Sequence, residues 1–167
     1  GNSYVGWCWE AGGAPTADNS AGAGATPTAG SVKIDGSNLG SALAGSIAAT
    51  RLSANTTKGF SVVSYTGNGS ADATVAHGLG ATPEWIILKW LGGASNWRIH
   101  HTGIGTTHTL FLNRTDGKST DADRIDGVSS TTFTLSEGNA AINGSGSDYI
   151  AYCWAEISGY SKFGTYE

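Results

Sequence analysis

The sequence predicts an all-β protein: an antiparallel two-sheet β-sandwich, jelly-roll-like in one version, with a long Gly/Ala-rich N-terminal loop or arm. Three observations carry this reading. Short runs of alternating bulky and small or polar residues recur along the chain, as strands with distinct faces require. Glycine-rich turns separate them, and glycine supplies 26 of 167 residues. No helical period survives more than a turn or two, so helix should be less than about one-tenth of the chain.

Taken in order, residues 1–10 carry YVGWCWE, read as an opening strand. The phrase returns near the other end as YIAYCWAE. Aligned on cysteine, Val5, Trp7 and Trp9 match Ile150, Tyr152 and Trp154 on one face, while Tyr4, Gly6 and Cys8 match Tyr149, Ala151 and Cys153 on the other. Cys8 and Cys153 therefore read as equivalent buried thiols, with a mutual disulfide as the alternative. Residues 11–50 form a Gly/Ala/Ser-rich linker or wrapping arm. Residues 11–30 have little bulk to offset the entropy of ordering, so a partner surface is expected to hold them. Residues 31–50 should hold a short strand or a helical turn, with Val32, Ile34, Leu39, Leu43 and Ile47 as sparse anchors.

Residues 51–167 form the body, and with residues 1–10 make one domain. GFSVVSYT alternates Phe60, Val62 and Ser64 against Ser61, Val63 and Tyr65. WIILKW has bulk on both faces, as expected for a central or interface strand; Pro83, just before it, gives up no needed amide. NWRIHH and THTLFLNRT are the next strands. DGKSTDADRIDG reads as a polar connection, TTFTLSEG as a strand and NGSGSD as a turn. The closing YIAYCWAEI is hydrophobic on both faces and belongs mid-sheet. The tail SGYSKFGTYE either packs back on the domain or leads into another.

Composition narrows the function classes. The net charge of -4 and the absence of any Lys/Arg run argue against nucleic acid. Charged residues are 13%, below the usual quarter, which suits a rigid all-β scaffold. No apolar run is long enough for helical membrane insertion.

Candidate ligand-binding residues cluster around one hairpin. Trp90 and Trp97 could stack on sugar faces, with Arg98 and His100 directing hydrogen bonds. Packing is the competing role for both tryptophans, and Trp7, Trp9, Trp85 and Trp154 read as core or subunit-interface residues. His77, in AHGLG, reads as a turn cap. His101 and His108 could meet across a hairpin but would need further ligands to hold zinc. Asp116, Asp121, Asp123 and Asp126 are the candidates for calcium, although their spacing departs from the regular calcium loop and Lys118 and Arg124 stand among them. A solvated surface loop is the simpler reading. No other cofactor is expected, and no catalytic residue is assigned.

The ordered set WCWEAGG, NTTKGFSVVSYTGNGS, VAHGLGATPEWIILK, SNWRIHH, TLFLNRTD and GSGSDYIAYCWAEISGYSKFG resembles a domain of tail-fibre and related virion proteins of tailed, especially marine, bacteriophages. The resemblance spans nearly the whole chain. It implies synthesis in the host cytoplasm and residence in the virion. It also implies a non-catalytic, homo-oligomeric module, with a trimer favoured, next to other fibre or virion modules. It further implies support of host adhesion through a cell-surface glycan or envelope protein. The alternatives are a lectin-like receptor-binding domain and, third, a glycan-cleaving enzyme. The resemblance carries no catalytic motif.

Overall fold

The computed structural model describes residues 1–166; Glu167, the last residue of the expected body, lies outside them. The fold is all-β, with two sheets. Its strands are β1 (Val32–Ile34), β2 (Ser37–Asn38), β3 (Ala49–Asn55), β4 (Phe60–Thr66), β5 (Ala73–Ala76), β6 (Trp85–Trp90), β7 (Arg98–His101), β8 (Leu110–Phe111), β9 (Ile125–Val128), β10 (Thr132–Leu135) and β11 (Asp148–Trp154). The larger sheet runs β2-β1-β3-β4-β11-β6-β7-β8 and the smaller β5-β10-β9. Among the described residues the helical content is one 3-10 turn, Thr102–Ile104.

Alternation sets the faces of the large sheet. On β4, Ser61, Val63 and Tyr65 turn inward and are buried. Register then fixes the neighbours: Ala151 lies opposite Val63 on one side and Leu88 on the other. This inner face meets Val75 of β5, Ile125 of β9 and Phe133 and Leu135 of β10 in a buried cluster drawn from both sheets. Each fully buried side chain of that size stabilises the fold by roughly 1.5–3 kcal/mol. As its two-faced hydrophobicity predicts, β11 lies mid-sheet, between β4 and β6.

His77 closes the entry to β6 as a turn cap. Its Nδ1 accepts from the Leu79 amide at 3.2 Å and its Nε2 lies 3.2 Å from the Ser129 carbonyl. That arrangement requires the neutral ring with its proton on Nε2, and burial lowers the pKa to about 4. Gly78 beside it has φ +73, and a Cβ there would lie 2.8 Å from Leu52 Cδ2. Glycine answers both constraints.

Four expectations are corrected. The large sheet is mixed rather than antiparallel, because β1 runs parallel to β3. Residues 35–48 provide the crossover such a pair needs. Residues 1–10 form no strand: among the described residues, nothing pairs with their backbone, and Cys8 is exposed while Cys153 is buried. β composition alone does not make a strand without a partner edge. The connection 116–127 is not wholly irregular, since β9 begins within it and pairs with β10.

The arm is the fourth correction. Contacts within its own chain hold it, where a partner surface was expected to. The Asn19 amide donates to Thr50 O at 2.9 Å and its Nδ2 to Ala49 O at 3.0 Å. Those carbonyls lie on the part of β3 that β1 does not reach. Asn19 Oδ1 also accepts from the amides of Ala21 and Thr28, folding the arm on itself. Asp18 pairs with Arg51, and Ser53 Oγ donates to Gly13 O at 2.6 Å. Backbone and short polar groups thus do the anchoring that bulk cannot.

Candidate functional site

The outer face of the large sheet gathers the aromatic side chains that the inner core does not use. Phe60 on β4, Tyr152 and Trp154 on β11, Trp85 and Ile87 on β6 and Ile99 on β7 share it by register. Trp154 is its centre. Its ring stacks on Trp85 at 4.5 Å, lies 5.0 Å from Phe60 and meets Trp9 edge-on at 5.2 Å. The Trp154 Nε1 is buried without a hydrogen-bond partner.

Beside this cluster runs a groove of about 590 Å³, walled by Trp7, Trp9, Phe60, Trp97, Tyr152 and Trp154 among others. Trp7, Cys8 and Trp9 form one side of it. Tyr4 and Val5, which lead into it, and Trp7 are more than three-quarters exposed, an uncommon state for a segment of this composition. On the other side of Trp154, Phe163 from the tail packs toward Trp85 at 6.3 Å. Chemically, the surface can stack flat apolar faces or bury aromatic side chains.

The hairpin candidates separate. Trp97 belongs to the outer groove, whereas Trp90 packs against the inner core beneath the bare Gly92–Gly93 turn. Arg98 and His100 also point to the inner side, opposite Leu88 and Ile86. Arg98 is occupied: it bonds Asp121 at 3.2 Å and Asp123 at 3.3 Å, donates to Asp123 O at 2.6 Å and lies over the Phe111 ring. His100 is buried with neither ring nitrogen partnered. Burial lowers its pKa to about 4, helped by His101 and opposed by Glu84. A patch combining all four residues is therefore not assembled.

The four aspartates separate as well. Asp121 and Asp123 face Arg98, and Asp116 pairs with Arg114 at 2.7 Å. Asp126 lies on β9, its pKa raised by burial against the opposing pull of Arg124. Among the described residues, no three His, Cys, Asp or Glu side chains converge as metal ligands. His101 caps the 3-10 turn, its Nδ1 accepting from the Gly103 amide at 3.0 Å, and His108 Nδ1 lies 2.9 Å from Thr107 Oγ1. Sequence reasoning gave Trp7, Trp9 and Trp154 to core or interface and did not join them to Trp97. Alternation carried from Ile99 through Ile87 to Tyr152 places Trp97 on the face of Trp154, whereas Trp7 and Trp9, in no strand, carry no such signal.

Fold and surface together define an all-β module whose large sheet is buried on one face and aromatic on the other. The whole chain, residues 1–167, matches the family described as "Domain of unknown function (DUF7483)", and the protein belongs to that family. No curated protein matches it. No solved structure matches it either.

Proposed function

We propose that the protein is a non-catalytic structural module of a virion, in a tail fibre or a related part, that supports adhesion to the host surface. The resemblance of the ordered motifs to those of such proteins supports the reading. The observation that carries it is the aromatic outer face with its exposed Tyr4–Trp9 segment, a surface suited to being covered in an assembly. Homo-oligomers, a trimer first among them, and neighbouring virion modules are the partners this reading assigns. The two sheets act as a β-sandwich around their shared core, and its eleven strands among the described residues divide eight and three, unlike an eight-stranded jelly roll. The test is immunogold labelling of intact particles of the encoding virus with an antibody to the folded domain, alongside light scattering of the protein. Gold on the tail and a mass of several copies are expected. Unlabelled particles overturn the virion assignment, and a monomer at all concentrations overturns the assembly.

A lectin-like reading has its own support in the groove where Trp97 stands with Trp7 and Tyr152, since sugars stack on such rings. It shifts the expected contact from the hairpin patch to the outer face. A glycan array probed with the folded domain and with Trp97→Ala tests it. Binding lost in a natively melting Trp97→Ala supports the groove, and an unreactive parent removes it.

A further inference from the structure

The aromatic groove on the outer face has a one-sided chemistry. Its walls include Trp7, Trp9, Phe60, Trp97, Tyr152 and Trp154, and no wall residue carries a charge, a carboxylate or a carboxamide. Among the described residues Trp97 hydrogen-bonds through its backbone alone, its amide donating to Asn113 Oδ1 at 2.9 Å and its carbonyl accepting from the Leu112 amide at 3.0 Å. The indoles of Trp7 and Trp9 and the Tyr152 hydroxyl are likewise uncommitted. An indole only donates, so the side-chain acceptors on offer are the Tyr152 oxygen and the weak Cys8 sulfur. The cations of the same hairpin are engaged elsewhere. Arg98 is held by Asp121 and Asp123 on the inner side, and Lys89 Nζ donates to Gly93 O and Ser95 O, each at 3.2 Å.

Such a wall suits a ligand that is uncharged, flat-sided, rich in acceptors and poor in donors. A run of prolines has that character: each residue offers an apolar ring and a carbonyl, and none has an amide hydrogen. A sugar hydroxyl donates as well as accepts, and this wall has little to accept with. Spacing points the same way. β6 alone separates β11 from β7, so the two lie about 9.4–9.8 Å apart. A polyproline II helix repeats every three residues, about 9.3 Å along its axis. Tyr152, Ile87 and Ile99 form one row across these strands, and Trp97 stands on the same face at the entry to β7.

We propose that this groove binds an uncharged, proline-rich segment of a neighbouring protein module in the polyproline II conformation. The segment crosses the sheet from β11 to β7. One proline ring packs at Tyr152, Ile87 lies beneath the turn, and the ring three residues on packs at Trp97. The indole N–H groups and the Tyr152 hydroxyl donate to the carbonyls between them. A proline helix is extended before it binds, so little chain entropy is lost in seating it. The inference deepens the assembly reading above and rests on it, since it names the chemistry of the partner that covers the outer face.

The probe is a blocked decaproline peptide, titrated into the whole chain by calorimetry. A decamer of Gly, Ala and Ser and the neutral hexasaccharide cellohexaose are titrated in parallel. Saturable binding of decaproline alone is expected. It should weaken about tenfold or more in Trp97→Ala, checked for native melting, as loss of an aromatic anchor does. Tyr152→Phe, which keeps the ring and removes the donor, should weaken it several-fold. Should Trp97→Ala misfold, the indole N–H signals of the unmodified chain in heteronuclear NMR carry the test. Decaproline then moves the Trp97 signal and leaves that of Trp90, on the inner side, in place. A response from the Gly/Ala/Ser decamer equal to that from decaproline overturns the proposal, as does an unmoved Trp97 signal. Binding of cellohexaose with decaproline inert overturns it in favour of the lectin-like reading. No saturation at up to millimolar decaproline overturns it and leaves the assembly reading to its own labelling and light-scattering test.

Discussion

Tyr65 and Tyr149 stack face to face across β4 and β11, ring centroids 5.1 Å apart and planes 15° from parallel. They are directly opposed in register and fully buried. Their hydroxyls hold one loop: Tyr65 donates to Ile142 O at 2.6 Å, and Tyr149 donates to Ala140 O while accepting from the Gly144 amide, both at 2.8 Å. Tyr65→Phe keeps the stack and removes the bond, leaving the Ile142 carbonyl without this donor. The expected loss is about 1–2 kcal/mol, read by urea unfolding. Tyr149→Phe removes two bonds and should cost at least as much. An unchanged midpoint in both variants would show that the loop is held otherwise.

Acid should weaken the protein through His77 and His100. Both have folded-state pKa values of about 4, against about 6.5 in the unfolded chain. The folded state therefore disfavours the charged ring. The stability tied to neutrality is whole above pH 6.5 and is lost as pH falls toward 4, by on the order of 3 kcal/mol for each group. Urea unfolding at a series of pH values checks the window. His77→Gln should flatten it at some cost in stability at pH 7, because the Leu79 and Ser129 contacts are disturbed. His100→Leu also flattens it, but removes a ring with no hydrogen bond to lose, so it should be neutral or stabilising at pH 5.

Much of this arrangement is legible in the chain. The two faces of β4, β6 and β11 follow from alternation, and the double hydrophobicity of β11 predicts its central place. Alternation also puts Trp97 and Arg98 on opposite faces, so the single patch drawn around them conflicts with the strand that contains them. Two features have no such signature. The arm is ordered by Asn19, whose contacts to Ala49 and Thr50 are set by backbone geometry thirty residues away. The ion pairs of Arg98 with Asp121 and Asp123 depend on how a loop returns to β7. Residues 4–9 have strand composition, but among the described residues their backbone pairs with no strand, and composition alone does not supply that pairing.

The matched cysteines should behave differently. Cys153 is buried, and desolvation pushes its thiol up to about 12, opposed by Ser61, so thiolate is scarce at neutral pH. Cys8 is exposed. Ellman titration of the native protein should count one thiol quickly and the second only after denaturation. Two fast thiols would place Cys153 at an accessible site; none after non-reducing denaturation would mean a disulfide.

Gly12 governs whether the arm stays down. A Cβ at this position would lie 1.8 Å from the Ala54 carbonyl oxygen, backbone that cannot swing aside. Gly12→Ala should lift the arm's entry and weaken the neighbouring Ser53–Gly13 contact. Hydrogen exchange over 14–28 then accelerates, with the Asn19 amide the clearest reporter, while β4 and β11 stay protected. In the unmodified monomer that stretch should be protected even at high dilution. Fast exchange there would return the arm to an external partner.

Arg98 is the last residue on which two readings diverge. As a sugar contact, its loss would leave stability alone and weaken glycan binding. As the structure places it, its side chain is only 11% exposed and neutralises two partly buried carboxylates. Removing one member of such a group leaves the others uncompensated, and for a fully buried pair that costs about 3–5 kcal/mol. Water reaches Asp121 and Asp123 here, so about 2 kcal/mol is expected for Arg98→Ala. The freed carboxylates could also then accept calcium. Thermal melting with and without millimolar calcium separates the effects. The parent should be indifferent to the ion, while Arg98→Ala melts lower and recovers part of the loss when calcium is added. A variant that melts like the parent would show that the ion pairs are solvated and of little weight.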